Sequence, residues 1–170
     1  MQTVDFGSEV PVRSNLDVQW IQGARRRRRA AEPPLQVHRR DPHTYVLLQS
    51  KLLSHEAPFI YLLFGNDKVL LLDTGATKDA HRFPLLETID ALISGWLVDN
   101  PRTHYPLVVA HTHGHGDHVA GDAQFASRPN TSVVGRQVAA VRAHFGLVDD
   151  RPVSGGDGHA GPSRGSGHHP

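Results

Sequence analysis

Residues 111–118 of this 170-residue chain read His-Thr-His-Gly-His-Gly-Asp-His, and they directly follow the apolar run Leu107–Ala110. Four imidazoles and one carboxylate therefore lie within eight residues. Neutral imidazole and carboxylate are suitable ligands for Zn²⁺, and also for Fe or Mn. Gly114 and Gly116 have no side chain, so the backbone there can turn tightly and direct successive ligands inward. The stretch predicts a metal site at the end of a buried strand.

The spacing of these ligands favours two neighbouring metal ions. His113 and His115 can reach one ion, while Asp117 and His118 can turn toward a second ion a few ångströms away. Two ions that close would share a bridging water, lower its pKa and hold a scissile carbonyl or phosphoryl group. His111 lies at the strand end, and we expect it to support the site from behind or to fill the core without ligating a metal.

The pattern His113-x-His115-x-Asp117-His118 resembles the signature of the metallo-β-lactamase superfamily. The resemblance implies Zn²⁺ as cofactor, with two ions in a complete site. It implies that His113 and His115 hold one metal and that Asp117 and His118 hold the other. Asp117 would also be catalytic, because it would orient the attacking water.

A second feature of the same family lies upstream of residues 111–118, which we call the metal loop. Residues 68–75 read Lys-Val-Leu-Leu-Leu-Asp-Thr-Gly and resemble the strand ending in Asp-x-Gly that precedes the metal loop in that family. The resemblance implies that Asp73 supports the metal ligands through hydrogen bonds. The alternative for Asp73 is a turn-forming role before Thr-Gly.

The composition divides the chain into three segments. Residues 1–42 are expected to be an irregular lead-in with a short strand around Val18–Ile21, and residues 149–170 a disordered low-complexity tail. Residues 43–148 carry the periodic patterns and the resemblance. There we expect strands at 45–49, 59–64, 68–73, 107–110 and 132–134, and helices at 84–98, 119–126 and 136–145. Strands alternating with helices indicate an α/β layered sheet.

The resemblance implies a metallo-β-lactamase-like αββα fold, but one that is incomplete. The family fold is built from two similar halves, and its second half supplies further His and Asp ligands. In this chain the similarity stops near residue 146, so we expect only the N-terminal half. Truncation, a shifted reading frame and an incomplete gene model would all give this pattern. An open sheet without its partner would leave an apolar face uncovered, so we expect poor solubility or association with another chain, including self-association through this face.

Composition excludes several other classes of protein. The chain has no Cys, which excludes disulfide scaffolds and thiol nucleophiles, and 18 Lys and Arg against 17 Asp and Glu argue against nucleic acid as partner. No apolar stretch approaches the roughly 18 residues of a membrane span, and residues 1–13 lack the apolar core of a secretory signal. We therefore expect a cytoplasmic protein without a membrane partner.

Three functions remain open at this point. The first is a metal-dependent hydrolase, in which hydroxide attacks an ester, thioester, lactone or amide carbonyl of a small molecule; the resemblance implies this chemistry. Because the ligands of the second half are missing, we expect the activity of this chain alone to be impaired. The second is a catalytically inactive metal-binding or interaction domain, since half of the family's ligands are missing. The third is a nucleic-acid processing member of the same superfamily, with the run Arg25–Arg29 as its electrostatic contact surface.

Overall fold

A computed structural model describes residues 14–21 and 32–148 of the chain. These residues form a mixed α/β unit with one six-stranded sheet, in which the strands are arranged in chain order. The strands are β1 (Leu35–Asp41), β2 (Thr44–Gln49), β3 (Phe59–Phe64), β4 (Val69–Leu72), β5 (Leu107–Ala110) and β6 (Thr131–Val133). The helices are α1 (Leu85–Asp99), α2 (Gly116–Val119) and α3 (Val138–Phe145), with a 3₁₀ turn at Asp122–Phe125. The Arg25–Arg29 run and the tail from residue 149 lie outside the described residues.

The sheet changes from antiparallel to parallel pairing at β4. Strands β1 to β4 form an antiparallel meander, in which Leu47 is opposite Ile60 and Leu62 is opposite Leu71. Helix α1 then crosses over, so that β5 pairs parallel to β4 and β6 pairs parallel to β5. The carboxyl ends of parallel neighbours meet at one edge of a sheet, which is where α/β proteins place their ligands. The loops that follow β4 and β5 are therefore adjacent.

The main core lies between the sheet and α1. One face of α1 buries Leu85, Ile89, Ile93 and Trp96, because these residues recur at the three-to-four-residue spacing of a helix. They pack against alternate residues of the strands, among them Leu62, Leu71 and Val109, in a single cluster. Phe125, from the 3₁₀ turn, joins this cluster and is 1% exposed. Packing of α1 against β4 and β5 thus fixes the positions of the two loops that follow these strands.

The opposite face of the sheet holds a smaller apolar cluster. Val108, Ala110 and Val134 are buried there, with the half-buried Leu70, Leu72 and Val141 packed against them. Further along this face, the Trp20 ring contacts Phe59 edge-to-face at a centroid distance of 5.1 Å. Within residues 14–21 and 32–148, no helix is long and apolar enough to cross a bilayer.

Two expectations about the lead-in are corrected by the structure. The expected irregular segment contains β1, a polar edge strand whose sequence Leu-Gln-Val-His-Arg-Arg-Asp lacks a strong apolar pattern. Residues 18–21 do not form a strand. They are held instead by the Gln36 side chain, which accepts from the Ile21 N–H at 2.6 Å and donates to the Gln19 carbonyl at 2.9 Å.

The segment after the metal loop also differs from the expected single helix at 119–126. It forms the one-turn helix α2 and, after Gly121, a separate 3₁₀ turn. Gly121 lies between the two turns and packs against the Thr74 carbonyl. A Cβ at position 121 would collide with that oxygen. The close contact with the loop after β4 therefore requires glycine at position 121.

Candidate metal centre

The metal loop follows β5 and includes the start of α2. Main-chain hydrogen bonds attach α2 to the loop after β4. The Thr74 N–H donates to the His118 carbonyl at 2.7 Å, and the Ala120 N–H donates to the Gly75 carbonyl at 3.0 Å. Helix α2 begins directly after His115, so Asp117 and His118 lie in its first turn. These contacts place the side chains of α2 above the end of β4.

Three of the predicted ligands converge on one point. His113, Asp117 and His118 each offer a donor atom within 4.8 Å of the other two. The His118 Nε2 lies 3.2 Å from Asp117 Oδ2, and the rings of His113 and His118 are 4.0 Å apart between centroids. Ligands bound to one zinc ion at ~2.1 Å lie up to about 4 Å from each other. Two imidazoles and one carboxylate that lie this close together are a suitable ligand set for a divalent transition metal.

The Asp73 carboxylate lies directly beneath this group and is 1% exposed. Its Oδ1 accepts from the Thr112 N–H at 2.8 Å, and its Oδ2 accepts from the Thr112 hydroxyl and from His118 Nδ1, both at 2.8 Å. Because Nδ1 of His118 donates to a carboxylate, the lone pair of the neutral ring is on Nε2. Nε2 is the atom that faces Asp117, so Asp73 presents His118 in the tautomer that a metal requires.

The Thr112 hydroxyl also sets the tautomer of His113. Its hydrogen is donated to Asp73, so its oxygen can accept from His113 Nδ1, which lies 3.1 Å away. The neutral His113 ring then also carries its lone pair on Nε2. One buried carboxylate thereby orients two imidazoles, one directly and one through a hydroxyl group. The sequence pattern contains no signal for this role of Thr112.

Asp73 adopts a backbone conformation that is unusual for a residue other than glycine. Its φ angle is +71°, in the left-handed region, and the Asp73 N–H donates to the Ala110 carbonyl at 2.8 Å. Such conformations cost about 1–3 kcal/mol and persist only where the surroundings impose them. In this conformation the Asp73 carboxylate, directly after β4, reaches Thr112 in the loop that follows β5.

His115 lies beside the group of three ligands without joining it. Its ring is exposed, and its centroid is 4.6 Å from that of His113 in an edge-to-face contact. The structure therefore groups His113 with Asp117 and His118, whereas the sequence analysis paired His113 with His115. Ligation by His115 and a second metal ion stay predictions.

His111 points away from the ligands and toward Asp122. The side chain is 3% exposed, and its Nε2 lies 2.9 Å from Asp122 Oδ1. The same carboxylate oxygen accepts from the Thr74 hydroxyl at 2.8 Å. Asp122 therefore joins the ends of β4 and β5 on the side opposite Asp73, a role that sequence reasoning missed. The His111 Nδ1 is buried and has no hydrogen-bond partner among the described residues.

Gln49 supports the loop after β4 from within the sheet. It is fully buried, and its side chain accepts from the Ala76 N–H at 2.8 Å and donates to the Thr77 hydroxyl at 2.6 Å. Gly75 passes close to it with a φ angle of +77°, and a Cβ at position 75 would lie 2.7 Å from Gln49 Oε1. A buried polar residue with both ends of its amide bonded is a rigid support for this loop.

An open cavity of about 410 Å³ adjoins the ligands. Its lining includes His111, Thr112 and His113 on one side, and residues of the β6–α3 connection and of α3 on the other. A second cavity, of about 440 Å³, lies between Trp20 and β3, away from the ligands.

The fold and the ligand group define an α/β protein with a candidate metal centre at the carboxyl ends of parallel strands. Residues 55–169 match the sequence model of the metallo-beta-lactamase superfamily. The chain belongs to this superfamily, as the His113–His118 pattern indicated. The search of curated proteins found no match.

Solved structures similar to this chain include three with low sequence identity. TMB-1 is 16% identical, with a TM-score of 0.40 over 68% of this chain and 49% of its own. The DIM-1 metallo-beta-lactamase is 13% identical, with a TM-score of 0.39 over 66% of this chain and 48% of its own. A metallo beta lactamase from Hirschia baltica is 16% identical, with a TM-score of 0.40 over 65% and 48%. This chain thus spans about half the length of the structures it matches.

Proposed function

We propose that this chain is a metal-dependent hydrolase that acts on the carbonyl group of a small ester, thioester, lactone or amide. The observation that carries the proposal is the convergence of His113, Asp117 and His118 within 4.8 Å at the end of a parallel strand. Superfamily membership and the open cavity beside His113 support it. The preferred metal is Zn²⁺, since the ligands are imidazole and carboxylate; Fe and Mn accept the same ligands.

The side chains of the site divide the work between binding and orientation. His113 and His118 would bind the metal through Nε2, because Asp73 and Thr112 engage both Nδ1 atoms. Asp117 would bind with one carboxylate oxygen and use the other to orient the attacking water and to accept its proton. A bound Zn²⁺ supplies Lewis acidity, which polarises a carbonyl and acidifies water. His115 would contribute a further imidazole after rotation of its exposed side chain.

Metal binding is the first test of the proposal. The 170-residue chain, loaded with Zn²⁺ and dialysed, should retain at least one equivalent by elemental analysis. His113→Ala and His118→Ala should each weaken Zn²⁺ binding at least ~10-fold in competition with a chelator, since each removes one of a few ligands. His104→Ala, which changes an exposed imidazole elsewhere, is the matched control. Equal zinc retention by the control and the site variants would refute the assignment.

Turnover is the second test. Zinc-loaded protein is assayed with chromogenic ester, thioester, lactone and β-lactam substrates, and Asp117→Asn is compared with the wild type. We expect zinc-dependent hydrolysis of at least one class, reduced at least ~100-fold in the variant because the group that orients water and takes its proton is lost. Activity that survives both zinc removal and the Asp117 substitution would refute the mechanism.

The second candidate function is metal binding without catalysis. It is favoured by the number of ligand groups: the described residues bring together one group of three donors, whereas a two-metal hydrolytic site needs a second set of ligands. Zinc retention that depends on His113 and His118, with no turnover of any of the four substrate classes, would favour this alternative over the hydrolase.

A further inference from the structure

The cavity beside His113 has the dimensions of a small-molecule site. It lies at the carboxyl ends of β5 and β6 and measures about 410 Å³, within the range of roughly 300–1,000 Å³ that ligand sites occupy. His111, Thr112 and His113 form one wall, so a molecule in the cavity touches the metal loop. What the cavity accepts is decided by its opposite wall.

The opposite wall is apolar, and two of its side chains are more exposed than a packed core would leave them. Four aliphatic side chains line it: Val134, Val138, Val141 and Leu147. Val138 is 67% exposed and Leu147 is 57% exposed, and α3 contains no buried residue. Exposed aliphatic groups that line a cavity, rather than an open surface, favour an alkyl group as the ligand that covers them.

Cationic groups border the apolar wall. Arg136 and Arg142 both line the cavity, and none of the residues that line it is an Asp or a Glu. Among the described residues, no carboxylate forms an ion pair with Arg136. A guanidinium pairs well with a carboxylate, in a bidentate geometry that a neutral or cationic group cannot reproduce. The charge of the wall therefore favours an anionic ligand.

We propose that this cleft binds an aliphatic acyl compound that carries a carboxylate. The alkyl part packs against Val134, Val138 and Val141, and the carboxylate pairs with Arg136. This position brings the remainder of the compound beside His113, so the inference names the substrate class of the hydrolase and rests on that function for the reaction. Binding of the alkyl carboxylate itself requires no metal.

The test is a binding titration of the full chain with three probes: octanoate, butanoate and octylammonium. Each additional methylene group that enters an apolar wall strengthens binding, so octanoate should bind at least ~10-fold more tightly than butanoate. Octanoate should also bind more tightly than octylammonium, which has the same chain and the opposite charge. Equal affinities for octanoate and butanoate would overturn the apolar part of the proposal.

Matched variants locate the site. Val138→Asp should weaken octanoate binding at least ~10-fold, whereas Val98→Asp should leave it unchanged, because Val98 is an exposed valine on α1, away from the cavity. Arg136→Gln should reduce the preference for octanoate over octylammonium, with Arg142 still in the lining, and Arg82→Gln, at another exposed arginine, should leave the preference unchanged. Both substitutions at the cleft affect exposed side chains, so the fold is retained. Octanoate binding that is lost in Trp20→Ala but kept in Val138→Asp would assign the ligand to the other cavity and overturn the proposal.

The outcomes separate this inference from the hydrolase proposal. Octanoate binding that depends on Val138 in a protein without turnover would contradict the hydrolase and leave the cleft assignment intact. Zinc-dependent hydrolysis whose rate is the same for acetyl and octanoyl esters, and unchanged in Val138→Asp, would support the hydrolase and overturn the cleft assignment.

Discussion

Replacing Asp73 by Asn tests how the metal ligands are oriented. The side chain keeps its shape, but an N–H₂ group takes the place of one acceptor oxygen. Oδ1 accepts one hydrogen bond from Thr112 and Oδ2 accepts two, from Thr112 and His118. If the amide oxygen takes the Oδ1 position, the N–H₂ group faces His118 Nδ1 and forces it to become the acceptor. The proton of His118 then moves to Nε2, the atom that should bind the metal.

The size of the effect follows from this change of tautomer. Loss of a hydrogen-bond partner that orients a metal ligand typically weakens metal binding 10–100-fold, which corresponds to about 1.4–2.7 kcal/mol. We expect the upper part of that range, because the same carboxylate also orients His113 through Thr112. The buried donors left without an acceptor should lower the free energy of unfolding by about 1–3 kcal/mol in addition.

The measurement is isothermal titration calorimetry with Zn²⁺, accompanied by urea unfolding of the metal-free protein. Asp99→Asn is the matched control, since Asp99 is an exposed residue at the end of α1. The control should keep both the zinc affinity and the stability of the wild type. Wild-type zinc affinity in Asp73→Asn would refute the argument that this carboxylate sets the tautomers of the imidazoles.

Two further predictions concern stability. Gly121→Ala should lower the free energy of unfolding by ~1–3 kcal/mol, because its Cβ would collide with the Thr74 carbonyl. Gly95→Ala, in open space on α1, should raise the free energy of unfolding by up to ~1 kcal/mol in the same urea assay. Equal effects of the two substitutions would contradict the packing argument. Burial lowers the pKa of His43 below 6.5, with Asp41 raising it and Arg39 lowering it, so the folded state binds this proton more weakly than the unfolded chain does. The stability that neutral His43 gives the folded state is present above pH 6.5 and is lost as the pH falls through the lowered pKa. Melting temperatures measured from pH 8 to pH 5 should therefore decline less in His43→Asn than in the wild type. The control His55→Gln should decline as the wild type does.

The elements that could be predicted from the sequence are those whose pattern is strong and local. The bounds of β3 and β5 agree with the expected strands at 59–64 and 107–110, because these are short apolar runs that are buried in the sheet. Helix α1 was expected at 84–98 and spans Leu85–Asp99, since its apolar residues recur at helical spacing over four turns. The alternation of strands with helices predicted an α/β layered sheet, which β4 to β6 and α1 form.

What could not be predicted depends on contacts between distant residues. β1 escaped prediction because an edge strand needs no strong apolar pattern; its partner β2 supplies the ladder that defines it. Asp122 has no motif of its own, and its contacts with His111 and Thr74 exist only because two loops lie side by side. The motif predicted His113, His115, Asp117 and His118 as ligands, but which of them lie together depends on how α2 turns next to the end of β4.

The change from antiparallel to parallel pairing at β4 has a consequence for the order in which the chain folds. The β1–β4 meander closes through short connections, whereas β5 must wait for the long crossover that contains α1. Asp73 is 39 residues from Thr112 and 45 from His118, so their hydrogen bonds form only after that crossover is complete. Because long-range pairing is the slow part of folding, the ligands should assemble late, on a meander that is already formed. Zinc added during refolding should therefore be captured in the last kinetic phase and should leave the earlier ones unchanged.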